Sequence, residues 1–286
     1  MITRPRVAVV GHVEWATHAT GAFPRPGEIR VLDEAFDEPA GGGAIAAGQV
    51  AKLGAATLFF TALGDDPAGD QTRNALARLN IEVRAAGRPV AQTRAISVVD
   101  ASRERAIALI GDPLGPEAAD ALGWEDLAAM DAVYFTGRDP AALRLCRAAR
   151  VLVVTARRWK VLAASGIRCD VLVASANDPD EQVPPGAFAM PPHAWVITDG
   201  VRGGTYLDES GRPHAWDALS PPGPVVDSYG CGDAFAAGLT VGMGRGLTLT
   251  DAIGLGARCG AHAVAARGGL RGQLIEDPSE IGAPTG

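Results

Sequence analysis

Apolar runs of four to seven residues alternate with stretches of helical spacing along most of this chain. VAVV (Val7–Val10), TLFFTAL (Thr57–Leu63), AVYF (Ala132–Phe135), VLVV (Val151–Val154), VLVA (Val171–Ala174) and WVIT (Trp195–Thr198) are continuous and short, as buried strands are. Between them, AIAAGQVAKL (Ala44–Leu53) spaces its apolar residues as a helix does and stops at Gly54, a residue suited to a helix C-terminus. Pro67–Leu79 reads as a helix with Pro67 at its start. Further helices are expected from Pro140 and near Trp159–Ala164, and two long ones, roughly Gly232–Gly244 and Leu249–Ala266, close the pattern. Strand–helix alternation of this kind predicts right-handed crossovers and an α/β fold, with a buried parallel sheet covered by helices on both faces.

Two stretches break the rhythm. EIRVLDEAF (Glu28–Phe36) and Glu82–Ile110 are rich in β-formers without a helix between their strands, and RAISVVD with RERAIALI suggests a hairpin around Asp100–Ser102. Both are too polar at alternate positions for central parallel strands. They read as one small sheet, within about residues 12–40 and 82–110, standing off a single domain of residues 1–286 as a lid over a site. The alternative is an antiparallel extension of the main sheet. Pro184–Gly186, Pro191–Pro192 and Pro221–Pro224 read as loops, and the final GAPTG as a fraying terminus.

Composition narrows the class. At 286 residues, 47% hydrophobic and 21% charged, the chain is of ordinary globular make-up and long enough for a large core. A net charge of −7 with no long basic block argues against nucleic acid or an anionic membrane surface as partner. No apolar run approaches the ~20 residues that span a bilayer. The first apolar run is shorter than the ~7–15 residues of a signal-peptide core and is better explained as a buried strand. Cys146, Cys169, Cys231 and Cys259 are dispersed with no CxxC pair, which argues against a zinc site or disulfide framework and suits a reducing cytosol. A cytoplasmic location is expected.

Candidate chemistry concentrates in DSYGCGDAFAAGL (Asp227–Leu239). A helix starting near Gly232 leaves the amides of Gly230, Cys231 and Gly232 among its unpaired donors. With the helix dipole, those donors form an anion site for a phosphate or a developing negative charge. Asp233 falls in the first turn, where one carboxylate can take a hydroxyl proton while the amides hold a transferring phosphoryl group. Asp227, six residues earlier and expected at the end of the preceding strand, could hold a cation or orient the loop. The plainer alternative is a strand–turn–helix in which Asp233 only stabilises the helix start.

The segment resembles the C-terminal signature DTxGAGDxFxxG of the ribokinase-like, or PfkB, carbohydrate kinase family. Asp227, Gly230, Gly232, Asp233, Phe235 and Gly238 match it, while Ser228 and Cys231 stand for the usual Thr and Ala. GGGAIAAGQVAKLG (Gly41–Gly54) is similar to the family's N-terminal glycine motif, and ALGDDPAGDQTRNALARLNIEV (Ala62–Val83) to its GxDxxG segment. SANDPDE (Ser175–Glu181) resembles NxxE, TDGVRGG (Thr198–Gly204) the TxGxxG nucleotide loop, and ARCGAHAVAARGG (Ala257–Gly269) the closing helix and turn near the adenine.

The resemblance implies a ribokinase-like three-layer sandwich with a central mostly parallel sheet and a small β lid. It implies an ATP-dependent, Mg²⁺-requiring kinase for a hydroxymethyl group of a sugar or sugar-like acceptor, with Asp233 as base and Gly230–Gly232 as anion hole. By the same resemblance Asn177, Thr198, Gly200, Gly203 and Cys259 would contact ATP, and Gly42 and Gly43 the acceptor; Glu14 and Arg138 are added to the acceptor contacts by their positions in the chain. Asp180, Glu181 and Asp227 would serve the metal; the spacing leaves open which of the first two does. A K⁺ ion near Asp227 and a homodimer through the lid are further expectations.

Departures cluster on the acceptor side. Ala16 stands where the family grips substrate hydroxyls with an Asp, and Ile45 where an Asn is common. Glu14 or His12 could take over the grip. A nucleoside kinase, or a catalytically silent sugar- or nucleoside-binding regulatory protein on the same fold, stands as the alternative. A dinucleotide fold would use Gly41, Gly43, Ala46 and Asp65, yet Pro39 interrupts the approach and DSYGCGD would be unexplained. No Walker motif is present. The five histidines show no metal spacing, although His12 and His18 could reach the site and His262 reads as packed in a helix. Trp15 could stack on a sugar or pack in the lid. Arg138 follows a strand end, where open α/β sheets bind ligands, whereas Arg157, Arg158 and Lys160 read as a solvated turn.

Overall fold

The computed structural model describes residues 4–101, 105–208 and 210–276. In chain order, β1 (Arg6–Val10), β2 (Glu14–Thr20) and β3 (Asp33–Ala40) lead into helix α1 (Gly41–Lys52). Then come β4 (Ala56–Gly64), α2 (Pro67–Ala77), β5 (Ile81–Arg88), β6 (Arg94–Val99) and β7 (Arg105–Ile110). The second half runs β8 (Ala132–Phe135), α3 (Pro140–Cys146), β9 (Val151–Thr155), α4 (Trp159–Ser165), β10 (Val171–Ser175) and β11 (Ala194–Thr198). Two short strands, β12 (Gly204–Leu207) and β13 (Pro213–Trp216), precede helices α5 (Cys231–Gly244) and α6 (Leu249–Ala263).

Nine strands form the large sheet in the order β13-β12-β11-β10-β9-β8-β1-β4-β5, parallel except for β12 and β13. Alternation along the strands feeds two cores. Val7, Val9, Phe59, Tyr134 and Val153 join one core with α1, α5 and α6; Ala8, Val10, Phe60, Phe135 and Val154 join the other with α3 and α4. Strands buried on both faces read as unbroken apolar runs for this reason. The expected α/β three-layer sandwich is observed.

The small sheet has four strands in the order β3-β2-β6-β7. Only part of the span Glu82–Ile110 belongs to it: Ile81–Arg88 is the parallel edge strand of the large sheet, paired with β4. β6 and β7 do pair as an antiparallel hairpin. Its turn includes residue 102, which, like the terminal GAPTG, lies outside the described residues. β2 (EWATHAT) is one of the small sheet's two inner strands, and strand structure on its partner β3 begins at Asp33, not Glu28. Helix α1 starts three positions earlier than its apolar spacing suggests, because the glycine run forms its first turn with Gly41 at φ +80°. β12 and β13, short and half-exposed, lack a run long enough to announce them.

Small residues set the seat of α5. A methyl group on Gly238 would meet Cys259 Sγ at 2.7 Å and Gly256 Cα at 3.0 Å, so α5 and α6 touch almost backbone to backbone. That close contact holds the N-terminus of α5 in the cleft between the two sheets.

Candidate active site

The parallel strands all end on one edge, where open α/β sheets bind ligands. β1 delivers His12, β8 delivers Thr136 and Arg138, β9 delivers Arg157 and Arg158, β10 delivers Asn177, and β11 delivers Thr198. Facing that edge from across the cleft are the first turns of α1 and α5.

Gly230, at φ +72°, caps α5 in a left-handed conformation that a side chain would oppose: a methyl there would meet Ile45 at 2.9 Å and Gly269 Cα at 3.3 Å. Cys231 N donates to Ser228 O at 3.4 Å and closes the turn, so its amide is partly committed. Gly232 borders open space. Asp233 follows in the first helical turn, with a partly accessible side chain. Burial raises its pKa to about 6, against the opposing pull of Arg157 and Arg158. Its carboxylate sits over Gly42: a methyl on Gly42 would stand 2.8 Å from Asp233 Oδ1 and 3.3 Å from Thr136 Oγ1. The sequence-predicted base and the predicted acceptor glycine are therefore brought together.

Asp227 has a different task from the one expected. Its Oδ1 accepts from Tyr229 N at 2.9 Å and from Arg105 Nη1 at 3.1 Å, and its Oδ2 from Gly268 N at 3.2 Å. The carboxylate is buried and holds three donors, so in this structure it fastens the turn, and nothing here supports the metal role expected of it. Arg105 comes from β7, also donates to Ser228 Oγ, and lies 5.2 Å over the Tyr229 ring. A second clasp joins Glu38 of β3, whose Oε1 accepts from Gly269 N at 2.6 Å and Leu270 N at 3.3 Å. His18 belongs to this clasp, 3.5 Å from Glu38 and stacked on Phe36, not to the reacting centre.

On the acceptor side Glu14 is buried, and burial first, then Asp233, raises its pKa against Arg138. It lies 3.6 Å from His12 Nε2. Burial, reinforced by Arg158, Arg138 and Arg157, lowers the His12 pKa to about 3, so the imidazole is neutral. Gly43 serves packing: a methyl there would meet His12 O at 2.5 Å. Ala16 and Ile45 lie in a buried apolar cluster with Ala40, Ala95 and Tyr229, which fills the position of a polar grip. Trp15 points away, lining a separate cavity of about 340 Å³ with Thr17, Asp37, Gln71 and Arg94. Arg138 is exposed. Arg158 is not the solvated turn that sequence suggested: it is half-buried, and its Nε donates to Thr136 O at 2.9 Å. Its place at a strand end, next to Arg138, was the available signal.

On the nucleotide side Asn177 Nδ2 donates to Asp199 Oδ1 at 3.0 Å, and Arg202 clamps the same carboxylate. Thr198 Oγ1 donates to Ala174 O. Gly200 borders open space at φ +55°, whereas Gly203 is spent on packing, since a methyl would stand 2.0 Å from Trp216 O. A cavity of about 350 Å³ beside this loop is lined by Tyr206, Trp216, Thr250, Ile253 and Ala257. Cys259 does not reach it: the residue is fully buried against Gly238, and burial pushes its thiol up to about 12. The nucleotide contact expected of it finds no support here; Ala257, on the other face of α6, lines the cavity instead.

Among the described residues no three His, Cys, Asp or Glu side chains gather as a metal cluster. Mg²⁺ does not need one, because it is held by one or two carboxylates plus substrate phosphates and water. Glu181 fits that role better than Asp180. Its Oε2 accepts from Ser175 N at 2.7 Å, and burial raises its pKa to about 7 with Asp178 and Asp233 adding to the effect. The Asp180 side chain is 79% exposed and turned to Arg157. Arg157 also pairs with Asp178 and Glu181, so its charge is matched within this acidic turn.

Comparison with known proteins gives a consistent result. The sequence pattern described as pfkB family carbohydrate kinase matches residues 4–274. A 71-residue stretch is 42% identical to acarbose 7(IV)-phosphotransferase of Actinoplanes sp., covering 24% of this chain and 23% of that protein, so most of that relative's length is unmatched. Arabidopsis thaliana ribokinase, solved with ribose and ATP, superposes with a TM-score of 0.74 at 16% identity, over 95% of this chain and 96% of that one. The nucleoside kinase of Methanocaldococcus jannaschii gives 0.73 at 15% identity over 94% and 95%. At these identities the likeness is one of fold. No helix among the described residues is long and apolar enough to cross a membrane.

Proposed function

The chain belongs to the pfkB family of carbohydrate kinases, and from that premise we propose that it transfers the γ-phosphoryl group of ATP to a hydroxymethyl group of a sugar or sugar-like acceptor. The observation that carries the reading is the juxtaposition of Asp233, pKa about 6, with Gly42 and with the open amide end of α5. The acceptor hydroxyl lies against Gly42 and gives its proton to Asp233. Its oxygen forms the new bond to phosphorus as the bond to the ADP oxygen breaks. The Gly232 amide and the helix dipole hold the phosphoryl oxygens. The adenine occupies the cavity of Tyr206, Trp216 and Ala257. Mg²⁺ would supply positive charge for the phosphates when bound, and Glu181, in the turn after β10, would hold it.

The small sheet acts as the lid, excluding water from the transfer. Arg105 ties it to the turn that leads to Asp233, and Glu38 ties it to the turn after α6. K⁺ near Asp227 has no place in this reading, because Arg105 already supplies the cation there.

Release of ADP from ATP, measured across sugars, sugar phosphates and nucleosides, tests the proposal. An acceptor that drives turnover supports it; ATP binding without turnover on any acceptor favours the silent binding protein, to which the apolar replacement of the sugar grip at Ala16 and Ile45 would then point. The metal assignment has its own check. Glu181→Gln raises the Mg²⁺ concentration for half-maximal rate by about 10-fold or more, as loss of a charge-assisted ligand should, while Asp180→Asn stays within about 2-fold. Equal shifts in the two variants would reject Glu181 as the ligand.

A further inference from the structure

Two guanidinium groups, those of Arg138 and Arg158, stand at the acceptor end of the cleft without a close ion pair among the described residues. β8 and β9 pair in parallel with Phe135 opposite Val154, so the segments carrying Arg138 and Arg158 leave the sheet side by side. Arg158 is held in place by its Nε bond to Thr136 O, the residue whose hydroxyl flanks Gly42 together with Asp233. Arg157, between them in sequence, has three acidic neighbours, Asp178, Asp180 and Glu181. Arg138 and Arg158 form no such ion pair; the carboxylates that act on them from further off are Glu14 and Asp233.

Their surroundings sharpen the imbalance. Arg158 is half-buried, and its pKa is lowered by that burial and by repulsion from Arg138 and Arg157. A partly buried cation among like charges is a costly arrangement unless an anion settles there. The acid in reach of Arg138 is Glu14, itself buried beside His12. Meanwhile the wall nearest α1 and Tyr229 is apolar, formed by Ala16, Ala40, Ile45, Ala95 and Tyr229, and offers little to a row of neutral hydroxyls. The base cavity of ATP lies beyond β11, three strands from β8, or about 14 Å at the usual strand spacing. The γ-phosphate reaches Asp233 and so shares the field of Arg158, but Arg138 acts on Glu14, on the acceptor side.

We infer that the acceptor is an anionic sugar, bearing a carboxylate or a phosphate remote from the hydroxyl that receives the phosphoryl group, and that Arg138 and Arg158 bind this anion. The guanidinium fork matches both oxyanions through paired N–H donors. The inference rests on the kinase reading, and it adds the charge class of the substrate. With the anion held at the ends of β8 and β9, the opposite end of the sugar is aimed at Gly42 and Asp233. Specificity follows from the same pair, since a neutral sugar leaves both cations unmatched.

The test uses the full chain with matched acceptors: D-fructose against D-fructose 6-phosphate, and D-glucose against D-gluconate, each assayed by ADP release. An anionic member is expected to exceed its neutral counterpart by about 10²-fold or more in kcat/KM, and to weaken with added salt. Comparing the phosphate pair with the carboxylate pair identifies the oxyanion. Arg138→Gln and Arg158→Gln each raise the KM of the anionic acceptor about 10–100-fold, the size of a lost charge-assisted bond, with the KM of ATP unchanged. Arg158→Lys recovers part of the loss. A neutral sugar that equals or exceeds its anionic counterpart, with turnover dependent on Asp233, overturns the inference and leaves the kinase standing. So does a rise in the KM of ATP in place of the acceptor's. Failure of every pair with ATP bound removes the kinase reading and this inference together.

Discussion

Asp233→Asn is expected to lower turnover by roughly 10²–10⁴, the range for removal of a positioned general base, and at the same time to melt at a higher temperature than the wild type at pH 8. The two effects share one cause. Burial holds the Asp233 pKa near 6, above its ordinary 3.8. A carboxyl whose folded pKa is raised contributes stability in its protonated form; that contribution is complete below about pH 4 and is lost as the pH climbs through 6. At pH 8 the ionised group is therefore a load on the fold. A shift of that size corresponds to at most about 3 kcal/mol at ~1.4 kcal/mol per unit, and partial solvent access reduces it to about 1–2 kcal/mol. Thermal melts at pH 4 and pH 8 should show the gap between variant and wild type closing at the lower pH. The wild-type rate should correspondingly rise through pH 6 as the base ionises. Wild-type activity in the variant, or a lower melting temperature at pH 8, would contradict the role given to Asp233.

Gly42→Ala should reduce kcat about 10²-fold, the loss that an ångström of misplacement at a reacting centre produces, without unfolding the protein. Gly42 lies in the first turn of α1 and is not among the positive-φ glycines, so alanine suits its backbone. The new methyl would fall 2.8 Å from Asp233 Oδ1, forcing the carboxylate aside and occupying the place of the acceptor hydroxyl. Gly43→Ala is the contrasting control. Its methyl would press on His12 O at 2.5 Å and on Phe59 at 2.9 Å, both within the core, so it should cost stability first. Circular dichroism melts with steady-state kinetics separate the two. A Gly42→Ala protein with unchanged kcat would mean that the acceptor does not approach Asp233 over α1.

The main sheet was legible because its strands are buried on both faces, and such strands are written as plain apolar runs. Pro67 and Pro140 marked helix starts for the same local reason. What escaped depended on contacts between distant parts of the chain. Ile81–Arg88 carries the alternation of a half-exposed strand, and only its pairing with β4 assigns it to the large sheet. Cys259 sits in the right segment, but which face of α6 meets Gly238 is decided by the seam between the two helices. Asp227 and Asp233 look alike as acids beside a glycine turn. Their different tasks come from Arg105, 122 residues from Asp227, and from burial beside Arg157 and Arg158. Arg158 was hidden among the three basic residues of Arg157–Lys160, and Thr136 gave no signal at all until its strand end was placed beside Gly42.

The small sheet is assembled from two excursions of the chain that leave the large sheet and return to it. Trp15 pairs with Arg94, and Glu38 reaches Gly269, 231 residues away. Contacts of such sequence separation form late, since the loop closure they require is compensated only after the intervening strands have docked. The turn leading to Asp233 is fastened by another contact of this kind, from Arg105 of the small sheet to Asp227 and Ser228. In refolding from denaturant, helical circular dichroism should thus recover before catalytic competence, with a lag that Arg105→Met lengthens. Simultaneous recovery would show instead that the turn organises itself. If the lag is observed, the newly made chain passes through a stage that is folded by most criteria yet chemically inert, and the order of its contacts protects ATP until the cleft is complete.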